Sequence, residues 1–216
     1  FKNVYIGASP GDSGGAIGAA INASNFLDYS FNGFSGSEFS NKQIQKYISE
    51  NLIFLKKNKI EFLYLTEDKL IDKTVEKLLE NKVIGWFSGR MEFGPRALGN
   101  RSIICNPGMI DARSLLNEKI KLREKFRPFA GSIMEKKKIE WFECPVTELS
   151  PFMSKVYNVK NEKKKLIPSI VHNDGTCRIH TVNELDNKRY YSLIKKFYEK
   201  SNIPILLNTS FNENEP

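Results

Sequence analysis

The sequence is poor in the residues that staple small proteins or bind zinc. Three cysteines, Cys105, Cys144 and Cys177, are scattered through 216 residues, and no Cys-x-x-Cys occurs. An odd number without close pairs argues against a disulfide framework and a zinc ribbon. It fits a reduced, cytoplasmic protein in which each thiol fills a small apolar space. There are only two histidines, His172 and His180, at a spacing that matches no metal motif. No apolar run approaches the ~20 residues of a membrane helix, so no membrane partner is expected. No secretory signal is visible, and the chain opens Phe1-Lys2-Asn3 without Met, as a fragment would.

Hydrophobic residues make up 40% of the chain and charged residues 27%, which is ordinary for a folded protein. The length suits one domain or two small ones. The net charge is +8, which suits anionic partners such as phosphates, nucleotides or nucleic acid. That charge is uneven: residues 1–66 carry a net +1 and residues 67–216 a net +7. The anion-binding argument therefore belongs to the second part.

Val4-Tyr5-Ile6 reads as a short strand before the loop Pro10-Gly11-Asp12-Ser13-Gly14-Gly15. Residues 16–23, rich in Ala and Gly, predict a closely packed helix. Residues 24–37 read as surface loop. Ser40-x-x-Gln43 is a capping box, followed by Ile44, Tyr47, Ile48, Leu52 and Leu55 near helical spacing. A second helix starts after Thr66, with Leu70, Ile71, Val75 and Leu78 on its apolar face. Residues 60–65, 83–87, 129–134, 167–172 and 203–207 read as strands. Asp111 is placed to cap a short helix, and Tyr190, Tyr191, Ile194, Phe197 and Tyr198 suit an amphipathic one. Alternating elements give a mixed α/β (α+β) class.

Gly11-Asp12-Ser13-Gly14-Gly15 spells the nucleophile signature of trypsin-like proteases. Those need a catalytic His and Asp earlier in the chain, and only ten residues precede it here. The better reading is a Gly-loop entering a helix, where Asp12 caps the helix or meets a cation.

The informative stretch is Gly89-Arg90-Met91-Glu92-Phe93-Gly94-Pro95-Arg96-Ala97-Leu98-Gly99-Asn100-Arg101-Ser102. Arginine offers a planar fork of donors that matches phosphate or carboxylate oxygens. Glycine lets the backbone approach a ligand. The same residues also suit an Arg–Glu network that pins a loop. In the second basic stretch, Lys119, Lys121 and Arg123 would share one face if extended, and Arg127 precedes Pro128-Phe129-Ala130. His172-Asn173-Asp174-Gly175-Thr176-Cys177-Arg178 is a turn that delivers Arg178. Leu207-Asn208-Thr209-Ser210-Phe211-Asn212 gathers short polar side chains at a strand end.

Taken in order, these stretches resemble the O-carbamoyltransferases of nodulation-factor and antibiotic biosynthesis. Residues 89–102 look like the family's hallmark segment, and Arg189-Tyr190-Tyr191 also fits. Gly131, Asn173 and Cys177 depart from its usual Pro, Val and Ala. The resemblance implies an actin/hexokinase-like carbamoyl-transfer domain followed by a YrdC-like domain, a twisted sheet with helices. The second domain makes carbamoyl-adenylate from ATP and carbamoyl phosphate, and the first passes the carbamoyl group to a hydroxylated small-molecule acceptor. On this reading residues 1–66 are the tail of the first domain and residues 67–216 nearly all of the second. The missing N-terminal domain is then a partner of the chain.

The resemblance further implies ATP with Mg²⁺ at the YrdC-like site. Iron or another divalent metal belongs to the largely missing domain, with Asp12 as its ligand in this chain. Arg90, Arg96, Arg101, Lys121, Arg123 and Arg127 are the catalytic candidates. Arg178, Asn208, Ser210 and Asn212 are the substrate- and nucleotide-binding candidates. The alternative is a YrdC-like module that binds nucleotide or RNA in transfer-RNA modification. Against nucleic acid stands the lack of an interleaved aromatic–basic platform.

Overall fold

The computed structural model describes residues 6–24 and 31–213. In chain order, four helices come first: α1 (Asp12–Ser24), α2 (Asn41–Glu50), α3 (Leu52–Lys57) and α4 (Glu67–Leu79). Strands β1 (Ile84–Phe87) and β2 (Arg101–Cys105) follow, then α5 (Ala112–Leu115), which runs into a π-turn at Leu116–Ile120. The remainder is β3 (Ala130–Met134), α6 (Lys138–Trp141), β4 (Lys155–Asn158), α7 (Asn161–Lys164), β5 (Thr176–Val182), α8 (Lys188–Ser201) and β6 (Ile205–Ser210).

The six strands form one mixed sheet in the order β1-β2-β6-β3-β5-β4. Only β3 and β5 pair in parallel. This bears out the mixed α/β class. Side chains alternate across a strand, so each face builds its own core. Ile103, Cys105, Ile133, Cys177, Ile179, Ile205 and Leu207 pack on one face with Leu116, Phe129, Ile167 and Ile170. Ile104, Met134, Val182 and Leu206 pack on the other, under α4 and α8, with Val75, Leu78, Leu193, Ile194 and Phe197. The helical stripes come from the spacings read in the sequence. Helix α4 begins after Thr66 and α8 is capped by Asn187, whose side chain accepts from Tyr190 N.

All six strands lie after residue 83. The capping box at Ser40 is present, and Asn51 splits the following helical stretch into α2 and α3. None of α1, α2 and α3 contains a buried residue, so the close packing expected of residues 16–23 is not seen among the described residues.

Three expectations are corrected. Residues 60–65 form no strand, and Phe62, Leu63 and Tyr64 are exposed. Their propensity is right, but the sheet's edge strands are β1 and β4 and neither takes them as a partner. Residues 167–172 are turns, because Ile167 and Ile170 reach the core three apart rather than by alternation. Lys119 and Lys121 do not lie on an extended face. Lys119 is in the π-turn and Lys121 ends it, with Leu122 at φ 48°. Val4 and Tyr5 of the first expected strand lie outside the described residues.

Candidate functional site

The segment between β1 and β2 is held by one carboxylate. Glu92 is buried, and its Oε1 accepts from the backbone N–H of Leu98 (2.6 Å), Asn100 (2.9 Å) and Arg101 (3.2 Å). Three such bonds wrap residues 92–101 around the carboxylate as a cradle. Asn100 Nδ2 donates to Arg90 O (2.7 Å), and Asn187 Nδ2 donates to Asn100 Oδ1 (2.9 Å). From outside, residues 33–37 bind the segment through Phe93 N to Gly33 O, Gly36 N to Met91 O and Met91 N to Ser37 O.

Two glycines are required by this path. Gly94 has φ 144°, and a Cβ there would meet Ala8 O at 2.6 Å. Gly99 has φ 95°, and a Cβ would meet the Tyr190 ring at 2.2 Å. Gly99→Ala is therefore expected to lower stability by about 2–3 kcal/mol, read as a shift in a urea melt, through ring displacement and a strained backbone. A loss under ~0.5 kcal/mol would show that the segment does not hold this path.

The segment faces the end of β6. A cleft of about 460 Å³ is lined by Met91, Glu92, Arg96, Arg101, Ser210 and Asn212, among others. Arg96 is exposed and makes no hydrogen bond or ion pair among the described residues. Arg101 is engaged: its Nη1 donates to Ser88 O, Gly89 O and Asn100 O, and its Nη2 to Ser37 O at 3.0 Å. It also lies 3.6 Å from the centre of the Phe87 ring. Burial lowers its pKa from the usual value, with Glu92 and Glu38 opposing. This geometry supports a positioning role for Arg101 rather than direct ligand contact.

Lys121 forms the floor of this end of the sheet. Its side chain is fully buried, and Nζ donates to Ser210 O (2.6 Å), Ser210 Oγ (3.0 Å), Asn212 O (3.0 Å) and Asn212 Oδ1 (2.6 Å). Ser210 Oγ also donates to Asn212 Oδ1 at 2.6 Å. The π-turn positions the lysine by ending one residue before it, a device common at functional sites.

The other candidates divide. Arg123 Nε donates to Asn117 Oδ1 (2.8 Å), and Asn117 Nδ2 returns to Lys125 O and Arg127 O. Arg123 also lies 5.0 Å from the centre of the Phe129 ring, and Arg127 pairs with Glu124 at 2.8 Å. Arg178 sits near the start of β5, beside β3. Because β3 and β5 both start where β6 ends, Arg127, Arg178, Ser210 and Asn212 share one end of the sheet. Burial, with Arg178 and Arg113 adding to it, lowers the pKa of His172, and Asp174 opposes them.

Arg90 lines a different cavity, beside Glu67 and Arg189. Asn208 is behind the segment rather than in the cleft: it is buried and donates to Ala97 O (3.0 Å) and Ser132 Oγ (2.9 Å). Asp12 is exposed in the first turn of α1, and the described residues contain no group of three or more His, Cys, Asp or Glu able to hold a metal ion.

Sequence reasoning treated Glu92 only as a possible ion-pair partner. Its signal was a lone acid among three arginines in a Gly-rich segment. Asn117 carried no signal.

The family model described as Carbamoyltransferase C-terminus matches residues 75–216. The chain belongs to this carbamoyltransferase family. Nodulation protein NolNO of Sinorhizobium fredii is 36% identical over 99% of this chain and 32% of its own length. Nodulation protein NolO of Bradyrhizobium diazoefficiens is 43% identical over 68% of this chain and 27% of its own. Nodulation protein U of Rhizobium fredii is 30% identical over 98% of this chain and 34% of its own. The chain thus spans about a third of the length of such curated relatives, and the resemblance read from residues 89–102 is borne out. No helix among the described residues is long and apolar enough to cross a membrane.

For this carbamoyltransferase domain the cleft yields a direct expectation. Arg96→Ala removes an exposed charge with no protein partner among the described residues, so stability should change by less than ~0.5 kcal/mol. If Arg96 meets a phosphate, anion binding should weaken by about 1.5–3 kcal/mol, roughly 10- to 150-fold. Calorimetric titration with ATP and carbamoyl phosphate, paired with a melt, separates the two readouts.

Proposed function

We propose that the cleft at the end of β6 binds carbamoyl phosphate and Mg²⁺-bound ATP and forms carbamoyl-adenylate. Carbamoyl phosphate, ATP and one water would give carbamoyl-adenylate, pyrophosphate and inorganic phosphate. The carbamoyl group then passes to an acceptor hydroxyl, on polypeptide of the kind the longer relatives carry outside the matched third. The observation behind this reading is the pairing of Lys121 with Ser210 and Asn212 opposite the free guanidinium of Arg96.

Forming an adenylate needs no nucleophilic side chain. Water first displaces phosphate from carbamoyl phosphate to leave carbamate, and a carbamate oxygen then attacks the α-phosphate of ATP as pyrophosphate leaves; each step needs anions brought together, aligned and neutralised. Arg96 neutralises phosphate oxygens. Ser210 and Asn212, fixed by Lys121, orient them through hydrogen bonds. Arg123, Arg127 and Arg178 add positive potential from the same end of the sheet, which favours binding of a polyanion. Glu92 and Arg101 hold the segment that presents Arg96. Bound to the nucleotide, Mg²⁺ would supply neutralisation of the triphosphate charge alongside Arg96.

The test is pyrophosphate exchange in the full-length protein. Labelled pyrophosphate should enter ATP only when carbamoyl phosphate is present, and Arg96→Ala should slow this at least about tenfold. Exchange without carbamoyl phosphate, or none with it, would rule out the adenylate route.

A further inference from the structure

Glu92 uses only half of its carboxylate to hold the segment. Oε1 takes the three backbone N–H groups, whereas Oε2 is buried and has no hydrogen-bond partner among the described residues. The side chain is 8% exposed and lines the cleft. A buried carboxylate oxygen without a donor is costly, and one at a ligand cleft is a place where the ligand supplies the donor. The neighbours decide which kind of donor. Arg96 and Arg101 line the same cleft, so a bare cation at Oε2 would meet two like charges, whereas Mg²⁺ carried by ATP arrives within a net anion. A neutral N–H meets no such repulsion.

We infer that Glu92 Oε2 accepts a hydrogen bond from the amide N–H of the acyl phosphate bound in this cleft. The site would then read two ends of one ligand, the phosphate at Arg96 and the –NH₂ at Glu92. Glu92 is thereby assigned as the group that selects a carbamoyl over an acetyl group, beyond its task of shaping the segment. The inference rests on the cleft being the acyl phosphate site proposed above. Acetyl phosphate differs by carrying CH₃ in place of NH₂. Bound here it would leave Oε2 facing a methyl group, and sites built to bond an N–H strongly reject analogues that lack it.

The experiment titrates the full-length protein with carbamoyl phosphate, acetyl phosphate and inorganic phosphate, then repeats all three with Glu92→Gln. Glutamine keeps one oxygen for the three backbone donors and turns the other position into a donor. Wild type should prefer carbamoyl over acetyl phosphate by about 10- to 100-fold. Glu92→Gln should bring carbamoyl and acetyl phosphate within about threefold of each other. The wild-type comparison needs no variant, so it decides even if Glu92→Gln fails to fold. Equal binding of all three phosphates by wild type would leave the anion cleft standing and overturn the role of Glu92. Preference for carbamoyl phosphate retained in a folded Glu92→Gln would also overturn it. If none of the three binds, the reading of the cleft itself falls, and this inference with it.

Discussion

Lys121→Met should destabilise the protein by about 2–3 kcal/mol, and thereby lower the thermal midpoint by roughly 5–10 °C. Methionine fills similar space but donates nothing. Two carbonyls, a hydroxyl and an amide oxygen, all gathered on one fully buried ammonium, would lose their shared donor. Ser210 is half-buried and Asn212 exposed, so water replaces part of the lost donor and the cost stays near the lower end of that for unpaired acceptors, about 1–3 kcal/mol. Lys121→Arg should not restore the midpoint, because a planar fork cannot replace a compact ammonium converging on four oxygens. Ser210 and Asn212 line the cleft, so phosphate binding should fail together with stability. A loss below ~1 kcal/mol would show that this lysine does not hold the end of β6.

The second large effect is acid sensitivity well above the carboxylate range. His180 is buried beside Ser132, with Nδ1 2.9 Å from the serine hydroxyl, and its ring stacks on Tyr190. Burial pushes its pKa down to about 3 from the ordinary 6.5. The folded state thus keeps His180 neutral where the unfolded chain is protonated. Between these values the unfolded state binds more protons, so stability falls as pH drops from about 6.5 towards 3. At 1.36 kcal/mol per pH unit, going from pH 6.5 to 4.5 should remove about 2–3 kcal/mol. The lowered pKa of His172 acts in the same direction. Carboxylates held low, such as Asp174, take over only nearer pH 4. Urea melts of wild type and His180→Gln at both pH values test this. The variant should lose markedly less than wild type over the interval, and equal losses would remove His180 as the cause.

His180 also shows why part of the fold was hidden in the sequence. Thr176-Cys177-Arg178-Ile179-His180-Thr181-Val182 reads as half polar, yet most of β5 is buried. One face carries Cys177 and Ile179 into the core, while the other buries His180 against Ser132 and Tyr190. Polar residues satisfied by one another look like solvent-facing residues until the partner strands are known. The same holds for β2, where Arg101 and Ser102 precede Ile103. Strands β1, β3 and β6 were legible because their apolar content agrees with their burial. Residues 60–65 misled for the opposite reason, since local propensity does not provide a partner strand.

The site was legible as a set of stretches, not as roles. Arg96, read from arginine in a Gly-rich segment, lines the cleft. The same rule made Arg90 and Arg101 catalytic candidates; Arg90 lines another cavity, and Arg101 is engaged by backbone carbonyls. Lys121 was read on an extended face by alternation, whereas a π-turn delivers it to the end of β6. Which donors and acceptors are already satisfied within the fold depends on residues some 90 positions away, as between Lys121 and Ser210.

The strand order has a consequence for synthesis. Among the described residues β6 is the last strand in sequence, and it lies third in the sheet, between β2 and β3. While a ribosome is still making residues 203–210, the sheet is two separate pieces, β1-β2 and β3-β5-β4, each with an open edge. Neither piece can bury Ile104 or Ile133 against its final neighbours until the last strand emerges and zips between them. Folding is therefore late and non-local, and nascent chains carry two exposed edges that invite pairing between copies. A transcript cut before the codons for residues 203–210 would lose the strand that joins the two halves, and its product would be a substrate for chaperones and proteases rather than a weaker enzyme.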